Sequence, residues 1–253
     1  MGLLDHKTAV VTGANSGIGL ATAERFIAEG AERVFITGRR QRELDSAAAH
    51  LGSRAVAVPG DVGRPEDLDR LYHEVGTAGA GLDVIVANAG STRVARLGEI
   101  TDDDLDALLA TNIKGVVYTV QKALPLLNDG ASIILIGSTT ADRGRAGLSI
   151  YAASKAAVRS LARTWANELA DRGIRVNVVV AGSTVTPGSD NLAAQADPDT
   201  SIDDFRAARI TTIPLARFAD PVEIANAAVF LASDLSSFTT GSTVTADGGF
   251  NQV

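Results

Sequence analysis

The chain has 253 residues, of which 45% are apolar and 21% charged, and a formal net charge of −7. That charge argues against nucleic acid as the main partner, while the apolar content supports a core that buries roughly three quarters of the surface of the unfolded chain. Cysteine is absent, which excludes disulfides, thiolate catalysis and Cys-ligated zinc, and His6, His50 and His73 have no metal-ligand spacing. No apolar stretch approaches the ~18 residues of a membrane span and no basic, then apolar, leader is present. The expectation is a soluble, cytoplasmic, globular protein with no membrane or nucleic-acid partner.

Residues 7–12 read as a first strand, followed at once by Gly13-Ala-Asn-Ser-Gly-Ile-Gly19 and a helical run from Leu20 to Glu29. Strand, glycine-rich turn and helix is the setting in which a glycine cluster becomes a phosphate site. Gly13 permits the tight turn, Gly17 and Gly19 permit close backbone approach, and the helix start offers free N–H groups and a positive dipole end. The spacing is G-x-x-x-G-x-G, not G-x-G-x-x-G, and a plain tight turn would use glycines too, so the flanking elements carry the assignment.

Arg33 to Thr37 reads as the second strand, ending in Gly38-Arg39-Arg40. An acidic residue here would bind the ribose 2′-hydroxyl of NAD. A glycine followed by two arginines suits a 2′-phosphate instead, so NADP(H) is expected ahead of NAD(H). A helix over 41–51, a third strand over 55–58, Asp61-Val62, and a helix opening near Pro65 follow. Leu82 to Ala87 is the fourth strand and leads into Asn88-Ala89-Gly90; Thr101 and the acidic residues 102–104 start a long helix containing Asn112. Strands alternating with helices predict an α/β fold, a doubly wound parallel sheet covered on both faces.

Ala131 to Gly137 reads as a buried strand, with Ser138 at its carboxyl end, where open α/β sheets place ligands. A helix is expected from Ser154 to Asp171, and Tyr151 and Lys155 are four apart, on one face. A phenol with an ordinary pKa of roughly 10 is a poor base but holds a proton for delivery. An ammonium one turn away stabilises the phenolate; a drop of about three units corresponds to roughly 4 kcal/mol. A serine hydroxyl can meanwhile fix a carbonyl oxygen, so the trio suits hydride transfer within a carbonyl/alcohol pair. A Tyr-x-x-x-Lys pair alone is more often an apolar body with a solvated head, and the surrounding motifs decide. Residues 174–180 are a sixth strand and 241–246 a last one, before Asp247-Gly248-Gly249. The stretch 181–210, rich in Gly, Pro, Asp, Ser and Thr, is expected to cover the substrate. With no repeat or linker, residues 1–253 form one domain.

Together, Thr12-Gly13-x-x-x-Gly17-x-Gly19, Asn88-Ala89-Gly90, Asn112, Ser138, Tyr151-x-x-x-Lys155 and Asp247-Gly248-Gly249 resemble the short-chain dehydrogenase/reductase family along essentially the whole chain. The resemblance implies a Rossmann fold with Tyr151 as acid/base and Ser138 orienting the carbonyl. Lys155 would bind the nicotinamide ribose and lower the Tyr151 pKa, and Asn112 would kink its helix and hold a relay water. Gly13, Asn15, Ser16, Gly17, Ile18 and Gly19 would bind phosphate, Arg39 and Arg40 the 2′-phosphate, and Asp61 and Val62 the adenine. Asn88, Ala89 and Gly90 would line the adenosine side, and Thr184 and Thr186 would hold the carboxamide. A homotetramer, with Phe238–Val253 at an interface, is implied as well. One departure is Ala181-Gly182 where the family usually has Pro-Gly, which leaves that segment freer. The expected activity is an NADP(H)-dependent ketone reductase or secondary alcohol dehydrogenase acting on a small-molecule carbonyl or alcohol. A nicotinamide-binding regulator without turnover needs neither Tyr151 nor Lys155, and a methyltransferase on a similar sheet needs no such trio.

Overall fold

The computed structural model describes residues 2–79 and 81–253. Its seven strands are β1 (Thr8–Thr12), β2 (Arg33–Gly38), β3 (Ala55–Pro59), β4 (Leu82–Ala87), β5 (Leu127–Ser138), β6 (Arg175–Ala181) and β7 (Thr243–Ala246). They form one parallel sheet in the order β3-β2-β1-β4-β5-β6-β7. The order reverses between β1 and β4, so a crevice opens at the carboxyl ends of these strands.

The strands are apolar on both faces because helices cover both. Val10, Phe35, Ile85 and Ile133 point to one side. There they meet α3 (Pro65–Thr77), α5 (Gly115–Ala123) and α6 (Ser149–Glu168) through Leu68, Leu71, Val116, Val120 and Val158. Val11, Ile36, Val86 and Ile134 point to the other. These pack on α1 (Gly17–Ala28), α2 (Gln41–Leu51) and α9 (Pro221–Ala232) through Phe26, Leu44, Ile224 and Ala228. The period-2 alternation of strand side chains sorts consecutive residues into two separate cores. Single-domain α/β architecture is as expected.

Four local expectations need correction. Helix α1 begins at Gly17, not Leu20, because the glycine turn itself winds into the first turn. Helix α6 begins at Ser149 and ends at Glu168, so it takes in Tyr151, in its first turn, as well as Lys155. The long helix expected after Thr101 is three pieces: α4 (Asp102–Leu109), a one-turn π bulge over Ala110–Lys114, and α5. Residues 181–210 are not irregular; they carry α7 (Pro187–Ala196) and α8 (Ile202–Ile210). Thr186 and Ser189 form a reciprocal capping box at α7, with Pro187 in the first turn, and the Ser201 hydroxyl accepts from the Asp204 N–H at 3.1 Å to cap α8.

Candidate active site

A cleft of about 750 Å³ lies along the carboxyl ends of the strands and takes in the glycine turn, Gly38 to Arg40, Asn88 to Thr92, Ser138, Tyr151, Lys155 and parts of residues 181–210. Its floor is the turn after β1. Gly13 has φ +65° and Gly17 φ +57°, conformations that favour glycine. A Cβ at Gly13 would lie 2.8 Å from the Ala89 Cα, and one at Gly19 2.5 Å from both the Asn88 Nδ2 and the Gly13 carbonyl oxygen. The two turns are therefore packed backbone to backbone. The buried Thr12 hydroxyl ties them, accepting from the N–H groups of Asn88 at 3.1 Å and Ala89 at 3.0 Å, while the Asn88 amide donates to the Thr12 carbonyl at 2.8 Å. Ser16 stands at the N-cap of α1 with no side-chain cap bond, and the first turn holds no acidic residue. Its N–H groups thus face the cleft without a side-chain acceptor, and the dipole end favours an anion. This uncapped cradle, bare of Cβ atoms, fits a diphosphate.

At the β2 end, a Cβ on Gly38 would sit 2.7 Å from the Asn15 Oδ1, so no longer residue fits there without displacing Asn15. Arg39 is largely exposed and lies 3.9 Å from an Asp61 carboxylate oxygen; Arg40 pairs with Glu43 at 3.0 Å. Val62 is buried, and Gly115 leaves it room, since a Cβ there would come within 2.6 Å of it.

Across the crevice, β5 delivers Ser138, and α6 delivers Tyr151 and Lys155. The Ser138 hydroxyl accepts from the Thr140 hydroxyl at 2.9 Å and the Thr140 N–H at 3.3 Å, which leaves its own proton to donate. The Lys155 ammonium donates to the Ile136 carbonyl at 2.8 Å and lies 5.8 Å from the centre of the Tyr151 ring. Desolvation pushes the Tyr151 phenol up, while hydrogen bonds from Ser138 and Thr92 pull it back; burial pushes Lys155 down to about 8. The sequence leads one to expect a tyrosine lowered by lysine. In this site desolvation is the larger effect, and the Tyr151 phenol lies above its ordinary pKa, hence neutral at neutral pH.

Asn112 lies in the π bulge, where the extra residue turns its side chain inward. Its Oδ1 accepts from the Ser91 N–H at 2.9 Å, and its Nδ2 donates to the Ser91 carbonyl at 3.0 Å and the Ser154 hydroxyl at 3.1 Å. The amide thus clamps the loop after β4 and makes no direct bond to Lys155. The Thr184 hydroxyl donates to the Gly182 carbonyl at 3.0 Å, and the Thr186 hydroxyl accepts from Ser189 while its methyl abuts Gly17. Strand β6 continues through Ala181, paired with Ser138 on one side and Ala246 on the other.

Sequence reasoning missed Thr92 and Thr140, neither of which stands in a quoted motif, and Arg209, which α8 brings into the cleft wall. The capping signal Ser201-x-x-Asp204 was available for α8; nothing in the sequence marks Thr92. Among the described residues no His, Asp or Glu cluster could hold a metal, and no helix is long and apolar enough to cross a membrane.

A family model described as Enoyl-(Acyl carrier protein) reductase matches residues 13–251. "Oxidoreductase asL5" of Sarocladium schorii is 46% identical over 252 residues, covering 99% of this chain and 98% of that protein. The 3-oxoacyl-[acyl-carrier-protein] reductase FabG of Thermotoga maritima is 38% identical over 256 residues, covering 97% and 98%. A crystal structure of a Brucella melitensis protein, described as a short-chain dehydrogenase/reductase and glucose/ribitol dehydrogenase, superposes with a TM-score of 0.92 at 33% identity, covering 100% and 99%. The chain belongs to the short-chain dehydrogenase/reductase family of oxidoreductases, whose members use nicotinamide cofactors.

Proposed function

We propose that this protein is an NADP(H)-dependent oxidoreductase that interconverts a ketone and a secondary alcohol, with Tyr151 as the acid/base. The observation that carries the reading is the meeting of Ser138, Tyr151 and Lys155 in one cleft with an uncapped glycine turn. When bound, the nicotinamide supplies or accepts the hydride. In the reducing direction the Tyr151 hydroxyl gives its proton to the carbonyl oxygen, and the Ser138 proton, not used by Thr140, holds that oxygen in place. A phenol kept neutral by desolvation is loaded for this step, and charged Lys155 stabilises the phenolate that remains. Asn112 fixes the loop beside Lys155 along the route by which the proton is restored.

Gly13, Asn15, Ser16, Gly17, Ile18 and Gly19 would hold the diphosphate; Asp61 and Val62 the adenine; Asn88, Ala89 and Gly90 the adenosine side. Tyr151 and Lys155 would hold the nicotinamide ribose, and Thr184 and Thr186 its carboxamide. Arg39 and Arg40 line the β2 end of the cleft and would hold a 2′-phosphate, and a Cβ on Gly38 would meet Asn15, which supports NADP(H) over NAD(H). Residues 181–210 would cover the substrate. The parallel edge at β7 and the fully exposed Phe238 support a homo-oligomer, a tetramer by family likeness, in the cytoplasm.

The test is cofactor oxidation followed at the nicotinamide absorbance, with NADPH and NADH each offered a panel of ketones. Turnover with NADPH is the expected result. Binding of neither cofactor would sink the reading.

A further inference from the structure

The part of the cleft beyond Ser138 is positively charged, and among the described residues this charge has no acidic partner. Arg145, in the loop between β5 and α6, and Arg209, near the end of α8, both line the cleft. Neither has an ion-pair partner among the described residues. Arg145 makes no side-chain hydrogen bond among them and lies over the Phe205 ring at 5.4 Å. Arg209 makes one long bond to the Ser183 hydroxyl at 3.4 Å and lies over the Phe250 ring at 4.7 Å. Arg143 stacks on the same ring at 4.5 Å and donates to the Phe250 carbonyl at 2.7 Å. Arg209 is partly desolvated and feels the repulsion of both Arg145 and Arg143.

Half-burying like charges together is unfavourable unless something compensates. Carboxylates were available to do so, in a chain with 30 acidic and 23 basic residues. The nearby ones are spent elsewhere. Asp142 pairs with Arg159, Asp190 with Arg206, and Asp247 accepts from the N–H groups of Gly249 and Asn251. Among the described residues, the only acidic one lining the whole cleft is Asp61, beside Arg39, against the cations Arg39, Arg40, Arg145, Lys155 and Arg209. Arg39 follows β2 and Ser183 follows β6, four strand spacings apart, or roughly 19 Å. The two basic ends are therefore separate sites, and a 2′-phosphate at Arg39 leaves Arg145 and Arg209 unmatched.

The geometry points to a substrate that carries a compact anionic group, carboxylate or phosphate, held by the guanidinium groups of Arg145 and Arg209 while its carbonyl lies at Ser138 and Tyr151. Planar guanidinium forks match such oxyanions, and the two phenylalanine rings hold the guanidinium planes in place. The inference rests on the carbonyl-reducing reading of the same cleft and specifies its substrate class.

The experiment compares a series of methyl ketones bearing a terminal carboxylate with their methyl esters, and with analogues bearing a terminal phosphate. We expect kcat/KM for the carboxylates or the phosphates to exceed that for the esters about 10- to 100-fold. The larger ratio identifies which oxyanion the pair is built for. Arg145→Gln with Arg209→Gln should lower the acid-to-ester ratio at least about tenfold, and Arg→Lys at both should retain part of it. Calorimetric titration of the unaltered protein with the corresponding hydroxy acids and hydroxy esters gives a readout independent of turnover and of any variant, with the acids binding more tightly and less so at high salt. Esters preferred over both anions, or a ratio untouched by the Gln pair, would overturn this inference while leaving the reductase reading intact. Failure of every ketone, with no cofactor bound, would overturn the reading itself.

Discussion

Gly90 stands between Asn112 and Lys155: a Cβ built on it would lie 3.6 Å from both the Asn112 Oδ1 and the Lys155 Nζ. The backbone φ of Gly90 is not among the positive ones, so alanine fits without strain. Gly90→Ala should fold normally and interpose a methyl group between the amide and the ammonium. If proton return passes here, kcat falls by about tenfold while the cofactor Kd changes little. An unchanged kcat would remove this gap from the proton path.

Tyr151→Phe removes the one proton that the mechanism delivers and leaves the ring in place. The expected loss in kcat is about 10²- to 10⁴-fold, with NADPH binding retained in a fluorescence titration. Retained turnover would take the acid/base role away from Tyr151.

Lys155, pushed down to about 8 by burial, is charged below that pH and neutral above it. Its charge stabilises the phenolate formed on proton delivery, so reductive kcat/KM should be level below about pH 8 and decline above it. Lys155→Met should give a lower rate without that limb. A profile identical to that of the unaltered protein would assign the titration to another group.

Arg39→Asp places a carboxylate where the cleft now has a guanidinium. The ratio of kcat/KM with NADPH to that with NADH should drop by at least tenfold. If it does not move, Arg40 or Ser16 holds the 2′-phosphate.

Asn112→Ala strips the half-buried Ser91 N–H and carbonyl of their partners and leaves the buried Ser154 without its donor. Unsatisfied buried groups cost about 1–3 kcal/mol each and half-buried ones less, so urea unfolding should show a loss of about 1–3 kcal/mol. A loss below 1 kcal/mol would mean that solvent satisfies Ser91 once the amide is gone.

The sequence was informative where local chemistry dictates structure. The apolar runs of β1, β2, β4 and β6, the glycine turn, and the pairing of Tyr151 with Lys155 at helical spacing could all be read directly. The start of α6 was misplaced because the loop before it ends at Gly147, with φ +80°, a position that composition does not reveal. The π bulge is set by packing, with Asn112 reaching Ser91 and Ser154 from elsewhere in the chain, and no local propensity encodes it. The two helices in 181–210 were hidden by Gly, Pro, Ser and Asp residues, which also act as caps. For Tyr151, sequence spacing shows the neighbouring charge but not the burial that raises its pKa.

The strand order also bears on how the chain is made. β2 and β3 can join β1 soon after synthesis begins, but the other side of β1 pairs with β4, whose residues 82–87 follow some 75 positions later. At about 5–20 residues per second, the nascent chain would carry a bare strand edge with the apolar Ala9, Val10 and Val11 for roughly 4–15 s. The yield of soluble protein should therefore depend on translation speed and on chaperones that shield that edge until β4 arrives.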